Sequence, residues 1–224
     1  MKLIIGNKNY SSWSLRAWLL PAVHDLSFEE VRVALSQQNT ATEIAGYTDA
    51  GKVPVLHDKD LVIWDSLAIC EYISERYLDG RGWPASAEAR AVARSCSAEM
   101  HSGFFALREQ MPMNCRATNR EVDISAELQK DISRIDSLWS WLRQRYSAQG
   151  SWLFGAFSIV DCMFAPVVFR FNTYNIEVSG VSRKYMEHVL AQPKVQLWRE
   201  QAKKEKEIIE EDEAGCRSVG KSSG

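Results

Sequence analysis

The sequence predicts an α/β domain followed by an all-α domain. Three observations carry that prediction. Roughly the first 80 residues alternate strand and helix signals. The stretch "LDGRGWPAS" (78–86) then breaks the pattern with glycine, proline and small polar residues. Beyond it the apolar residues recur at helical spacing, and no convincing strand pair is found. The expected boundaries are 1–78 for the α/β domain and 86–210 for the helical domain, with 211–224 a polar tail expected to be frayed or disordered.

The elements follow in order. "KLIIG" is a short buried strand. Residues 12–24 are helical, with Pro21 expected to end or kink the helix. "FEEVRVAL" (28–35) alternates Val31, Val33 and Leu35 and reads as a second strand; "ATEIAGY" is a short helix. "VPVLHDKDLVIWD" (53–65) places two β-rich runs around the polar turn His57-Asp58-Lys59-Asp60, a hairpin signal. "SLAICEYISERY" (66–77) carries Leu67, Ile69, Cys70 and Ile73 at helical spacing, which gives β-α-β-α-β-β-α. In the second half, 87–110 and 124–147 are long helices, the latter with Leu128, Ile132, Ile135, Leu138, Trp139 and Leu142 on one face. "QMPMNCRATNREVD" between them reads as a loop. Further helices are expected at 159–172, 182–191 and 194–209, with the charge run 199–213 a solvated helix end.

Bulk properties narrow the function classes. Of 224 residues 46% are hydrophobic and 25% charged, an ordinary globular balance, and the net charge of −2 leaves no electrostatic footprint for nucleic acid. No apolar stretch approaches the ~20 residues that span a bilayer, and "MKLIIGNKNY" is too short for a signal peptide, so neither a membrane nor a nucleic-acid partner is expected. Cys70, Cys96, Cys115, Cys162 and Cys216 are odd in number, widely spaced and never C-x-x-C. This argues against a disulfide framework, a zinc site or a redox pair and for a reducing cytoplasm. His24, His57, His101 and His188 form no metal spacing, so no metal is expected.

Four short motifs carry chemistry. In "NYSSWSLRAWLL" (9–20) two serines and a tryptophan stand at a strand-to-helix turn. Capping of the first helical turn accounts for them; a hydroxyl at a positive helix end can equally stabilise an anion. In "KVPVL" (52–56) a proline opens a strand, where a trans bond on an edge strand is the commoner arrangement and a cis Val53–Pro54 bond would leave the Val53 backbone groups free. In "WDSLAI" (64–69) Ser66 is a natural N-cap. Alternatively, its hydroxyl and the helix N-terminus hold a carboxylate while Asp65 pairs with an ammonium, which would suit an α-amino-acid head group. In "FSIVDCMFAPVVF" (157–169) Ser158 and Asp161 have capping-box spacing before an apolar helix, a structural feature.

Taken in order, with the domain change at 78–86, these motifs resemble the cytosolic glutathione transferase family over roughly residues 2–205. The resemblance implies a thioredoxin-like N-terminal domain, a helical C-terminal domain, glutathione as cosubstrate and a homodimer in the cytoplasm. It implies that Lys52, Val53, Pro54, Asp65 and Ser66 bind glutathione. The Val53 backbone would meet its cysteinyl part across a cis peptide bond, and Asp65 and Ser66 its γ-glutamyl group. Ser11 and Ser12 are then the catalytic pair, with Ser11 the expected sulfur donor and Tyr10 ranked behind both.

The turn is similar to the S-S-C-x-x-R of the zeta class and certain bacterial members. It keeps Ser11, Ser12 and Arg16 but has Trp13 where cysteine or proline is usual. The electrophile site is expected between Ser11 and the first long helix of the second domain, drawing on Tyr10, Trp13, Phe104, Phe105 and Arg108. The activity implied is addition of the glutathione thiolate to a small hydrophobic electrophile, as in detoxification. The alternatives are a glutathione-dependent isomerase or peroxidase, and a non-catalytic binding protein of the same fold. A free thiol has a pKa of about 8.5, and each unit of depression takes about 1.4 kcal/mol, which a charge-assisted hydrogen bond at a helix N-terminus can supply.

Overall fold

The computed structural model describes residues 1–215. Cys216 and the remainder of the expected tail lie outside the described residues. The elements run β1 (Lys2–Ile5), α1 (Ser12–Val23), β2 (Glu29–Arg32), α2 (Thr40–Ala45), β3 (Val55–Asp58), β4 (Leu61–Trp64) and α3 (Ser66–Tyr77). There follow α4 (Ala87–Ser102), α5 (Phe105–Gln110), α6 (Ala126–Tyr146), α7 (Ile159–Thr173), α8 (Gly180–Ala191) and α9 (Pro193–Ala202). This is a thioredoxin-like sheet domain joined to a helical domain.

The sheet order is β2-β1-β3-β4. β1 pairs parallel with β2, with Ile4 opposite Val31, and antiparallel with β3, with Ile4 opposite Val55. β3 and β4 form the hairpin, closed by a two-residue turn in which Lys59 takes a positive φ of 55°. Alternation of side chains splits β1 between two cores. Leu3 and Ile5 join Leu56, α1 and α3 in the main core, while Ile4 packs with Val33, Ile44 and Val55 on the face covered by α2.

The main core does not stop at the domain boundary. Leu15 and Leu19 of α1 belong to the same buried cluster as Ile159, Met163 and Val167 of α7. That helix is apolar nearly all round, as a central helix must be. Its capping box forms: the Ser158 N–H donates to Asp161 Oδ2 at 2.9 Å. The predicted face of α6, Leu128 to Leu142, is buried throughout. Among the described residues no helix is long and apolar enough to cross a membrane, and no cluster of three His, Cys, Asp or Glu side chains could hold a metal. Cys70, Cys96, Cys115 and Cys162 are buried free thiols.

Four sequence expectations need correction. Residues 87–110 do not form one helix. Gly103 is extended and Phe104 takes a left-handed φ of 58°, so α4 ends at Ser102 and α5 starts afresh. Pro21 lies inside α1, close enough to its end at Val23 that it removes little. The last helix ends at Ala202, and the charge run beyond it leaves the helix altogether. The described part of the expected tail is tied down: Glu213 accepts from Tyr10 Oη at 2.6 Å and Asn114 Nδ2 at 3.0 Å, and pairs with Arg120 at 2.6 Å and Arg116 at 3.3 Å. Those partners are remote in sequence, so composition alone reads the segment as solvated.

Candidate functional site

The turn from β1 to α1 is held from three sides. The Asn7 Oδ1 accepts the Leu35 N–H at 2.7 Å. The N–H groups of Lys8 and Asn9 donate to the two carboxylate oxygens of Glu205, at 2.7 and 3.0 Å. The Asn9 side chain bridges Asn114 and the Arg116 N–H. Within this frame the two serines differ. Ser11 is the N-cap of α1; its Oγ accepts the Ser14 N–H at 3.4 Å and donates to Ser14 Oγ at 2.7 Å. The Ser12 hydroxyl has no hydrogen-bond partner among the described residues, although the residue is only 6% exposed. Tyr10 turns its phenol toward the C-terminal segment, where burial and then the hydrogen bond to Glu213 push it up to about 12.

A cavity of about 470 Å³ is lined by Trp13, Lys52, Val53, Pro54, Asp65, Ser66 and His101. The Val53–Pro54 peptide bond is cis, and no hydrogen bond to the Val53 N–H or C=O is formed among the described residues. Asp65, not Ser66, is the N-cap of α3; with φ at 74° its Oδ1 accepts the Leu67 N–H at 2.8 Å. Ser66 is thereby the first residue of the helix, 1% exposed, with a buried Oγ that has no partner. His101, at the end of α4, places Nε2 3.2 Å from Asp65 Oδ2, and its Nδ1 is buried without a partner. Burial lowers the His101 pKa, against Asp65 and with help from Arg16 and Arg108, so the ring is neutral at pH 7. A neutral ring that carries its proton on Nε2, the nitrogen nearer Asp65, leaves Nδ1 as an acceptor.

A second cavity, about 410 Å³, shares Trp13, Lys52 and Val53 with the first and adds Tyr10, Ser11, Ser12, Leu35, Ile44, Gly51, Arg108, Pro112, Met113, Arg170 and Asp212. Two guanidinium groups stack on the Trp13 ring, Arg16 at 4.4 Å and Arg108 at 4.7 Å. Arg16 is fully buried and none of its three nitrogens finds a partner. Another opening, about 530 Å³, is lined in part by Lys8, Glu30, Arg32 and Glu205, which already pair with one another.

The structure thus brings Ser11, Ser12, Tyr10, Trp13, Lys52, Val53, Pro54, Asp65, Ser66 and Arg108 around two adjoining cavities. It does not bring Phe104 or Phe105 there. The left-handed turn at Phe104 buries that ring and leaves Phe105 73% exposed. Sequence reasoning missed His101, Arg170 and Asp212. For Arg170 a signal existed, a lone arginine in the apolar run "FAPVVFRF". His101 and Asp212 had none.

Comparison with known proteins agrees with this fold. The glutathione S-transferase N-terminal domain model matches residues 10–76, and the glutathione S-transferase C-terminal domain model matches residues 125–203. A stringent starvation protein A homolog of Pasteurella multocida is 24% identical over 179 residues, covering 75% of this chain and 80% of its own. The glutathione S-transferase GstB of Escherichia coli is 26% identical over 187 residues, covering 79% and 84%. Among solved structures, a glutathione transferase homolog from Burkholderia gl BGR1 with bound glutathione superposes with a TM-score of 0.68 at 25% identity, covering 90% of this chain and 97% of that one. Both halves match one family in chain order, and the fold is shared across nearly the whole length: the chain belongs to the glutathione S-transferase family.

Proposed function

We propose that the protein is a glutathione transferase that seats glutathione in the cavity of Asp65, Ser66 and His101 and presents its sulfur to Ser12. The observation that carries this reading is the pair of buried, unpartnered polar atoms in one cavity, Ser66 Oγ and His101 Nδ1. Buried polar atoms without partners cost free energy and mark a place where a ligand completes the bonding. A γ-glutamyl group supplies what is missing: a carboxylate for Ser66 and the α3 N-terminus, and an ammonium for Asp65 and His101 Nδ1. The open N–H and C=O of Val53 suit the cysteinyl backbone, and Lys52 the glycyl carboxylate.

The sulfur belongs to Ser12, because the Ser11 hydroxyl is occupied in capping α1. Ser12 donates a hydrogen bond to the thiolate at the positive end of the helix, and the thiol proton leaves to solvent. The thiolate electron pair then forms the new C–S bond, and the electrons of the breaking bond depart with the leaving group. Trp13 walls the cavity where the electrophile sits. Isomerase and peroxidase chemistry would use the same glutathione contacts. A homodimer belongs to this reading, with the exposed Leu61, Val62 and Trp64 on β4 and Phe105 covered by a second copy. Titration with glutathione by calorimetry tests the proposal, followed by assay against a chloro-nitrobenzene, a hydroperoxide and a cis-diene acid. Absence of glutathione binding would overturn it.

A further inference from the structure

The cavity beside Ser12 is unlike a site for a plain hydrocarbon. Arg170 stands on α7, 4% exposed, and lines it. Its Nε donates to the Met111 carbonyl at 2.8 Å, which fixes the group, while Nη1 is buried with no partner. Arg108 lines the same cavity, held by the carbonyls of Gly103 at 2.9 Å, His101 at 3.3 Å and Met100. Carbonyls anchor a guanidinium without neutralising it. Arg16 adds a third buried cation behind Trp13. Among the described lining residues the one acid is Asp212, whose carboxylate makes no hydrogen bond or ion pair with the described residues. Burial pushes Asp212 up to about 6 against the pull of Arg170, which leaves it mostly ionised at pH 7 but a single acid facing two guanidinium groups. A neutral aromatic guest would leave Arg170 and Arg108 with Asp212 as their one acid in the cavity and would dry both guanidinium groups, which is costly.

Resting on the glutathione reading, we infer that the second substrate is an anion: an electrophile bearing a carboxylate that Arg170 and Arg108 receive in the cavity beside Ser12. The guanidinium fork matches a carboxylate edge, and the pair needs no proton transfer. Asp212, carried on the segment that Glu213 pins, is a like charge at the same place and weakens the guest.

The test compares two synthetic conjugates that differ in charge at one position, S-(4-carboxy-2-nitrophenyl)glutathione and its 4-carbamoyl analogue, by calorimetry on the full chain. Neither carries a free thiol, so an effect of the arginines on the sulfur cannot imitate the result. The carboxylate conjugate is expected to bind roughly tenfold tighter or better, the size of a charge-assisted hydrogen bond. Arg170→Met and, separately, Arg108→Met should shrink that ratio toward one, and Asp212→Asn should widen it. Equal binding of the two conjugates by the wild type, or a ratio unmoved in all three variants, overturns the inference and leaves the glutathione reading standing. Failure of both conjugates to bind overturns the two together.

Discussion

Ser11 Oγ lies 2.7 Å from Ser14 Oγ, which in turn accepts the Gly6 N–H at 2.9 Å. The first serine of the pair is therefore part of the helix cap and the second is the one left over. Ser12→Ala should raise the pKa of bound glutathione and slow turnover at neutral pH by ~10²–10³, the cost of one donor to a developed charge. Ser11→Ala should instead lower stability by about 0.5–2 kcal/mol with a smaller effect on the sulfur. Thiolate absorbance of the bound peptide against pH separates the two. If Ser11→Ala moves that titration and Ser12→Ala does not, the roles are the reverse.

Ser66→Ala should weaken glutathione binding by roughly 1.5–3 kcal/mol, because a buried carboxylate loses a donor. Calorimetry measures it. Unchanged affinity would take Ser66 out of the site.

Burial would raise the pKa of Glu213, but hydrogen bonds from Tyr10, Arg116, Asn114 and Arg120 outweigh it and hold it below the ordinary glutamate value. A depressed acid contributes stability above its unfolded pKa and loses it as pH falls through the folded one. The segment around Glu213 should accordingly become sensitive to proteolysis or fast hydrogen exchange in acid, below the ordinary glutamate range, before the core unfolds. Glu213→Gln should show that exposure already at neutral pH. Equal protection of variant and wild type across the range would refute the ion-pair account.

Asp161 accepts from Leu153 N, Ser158 N, Ser158 Oγ and Tyr185 Oη inside the core. Asp161→Ala strips the cap and leaves several buried donors unmet, so a loss of ~3 kcal/mol or more is expected. Urea denaturation checks it, and a loss under about 1 kcal/mol would mean that water replaces the carboxylate.

Sedimentation should find a homodimer at micromolar concentration. Substituting Trp64→Glu should yield monomer, and a wild type that sediments only as monomer would count against the paired arrangement.

Much of this was legible because it is local. The period of α6, the hairpin turn at Lys59 and Asp60 and the capping box at Ser158 and Asp161 all depend on neighbours within a few residues. The N-terminal half of the candidate site could be proposed for the same reason: Ser12, Val53, Pro54 and Ser66 sit at element ends, where turn chemistry shows. What was missed depends on tertiary approach. His101 reaches Asp65 from another domain, Arg170 meets the cavity from the last turn of an apolar helix, and Asp212 arrives from a segment whose composition reads as solvated. The break at Gly103 and Phe104 was hidden because the helical period continues on both sides of it.

Glu205 holds the Lys8 and Asn9 N–H groups across almost the whole length of the chain. This has a consequence for the order of synthesis. The sheet domain leaves the ribosome first, with its strands and helices complete, yet the loop between β1 and α1 lacks two acceptors until some two hundred residues have followed. A nascent chain can pair its four strands while that loop is still unheld, and a stretch from the far side of the second domain is the one that sets the first loop in place.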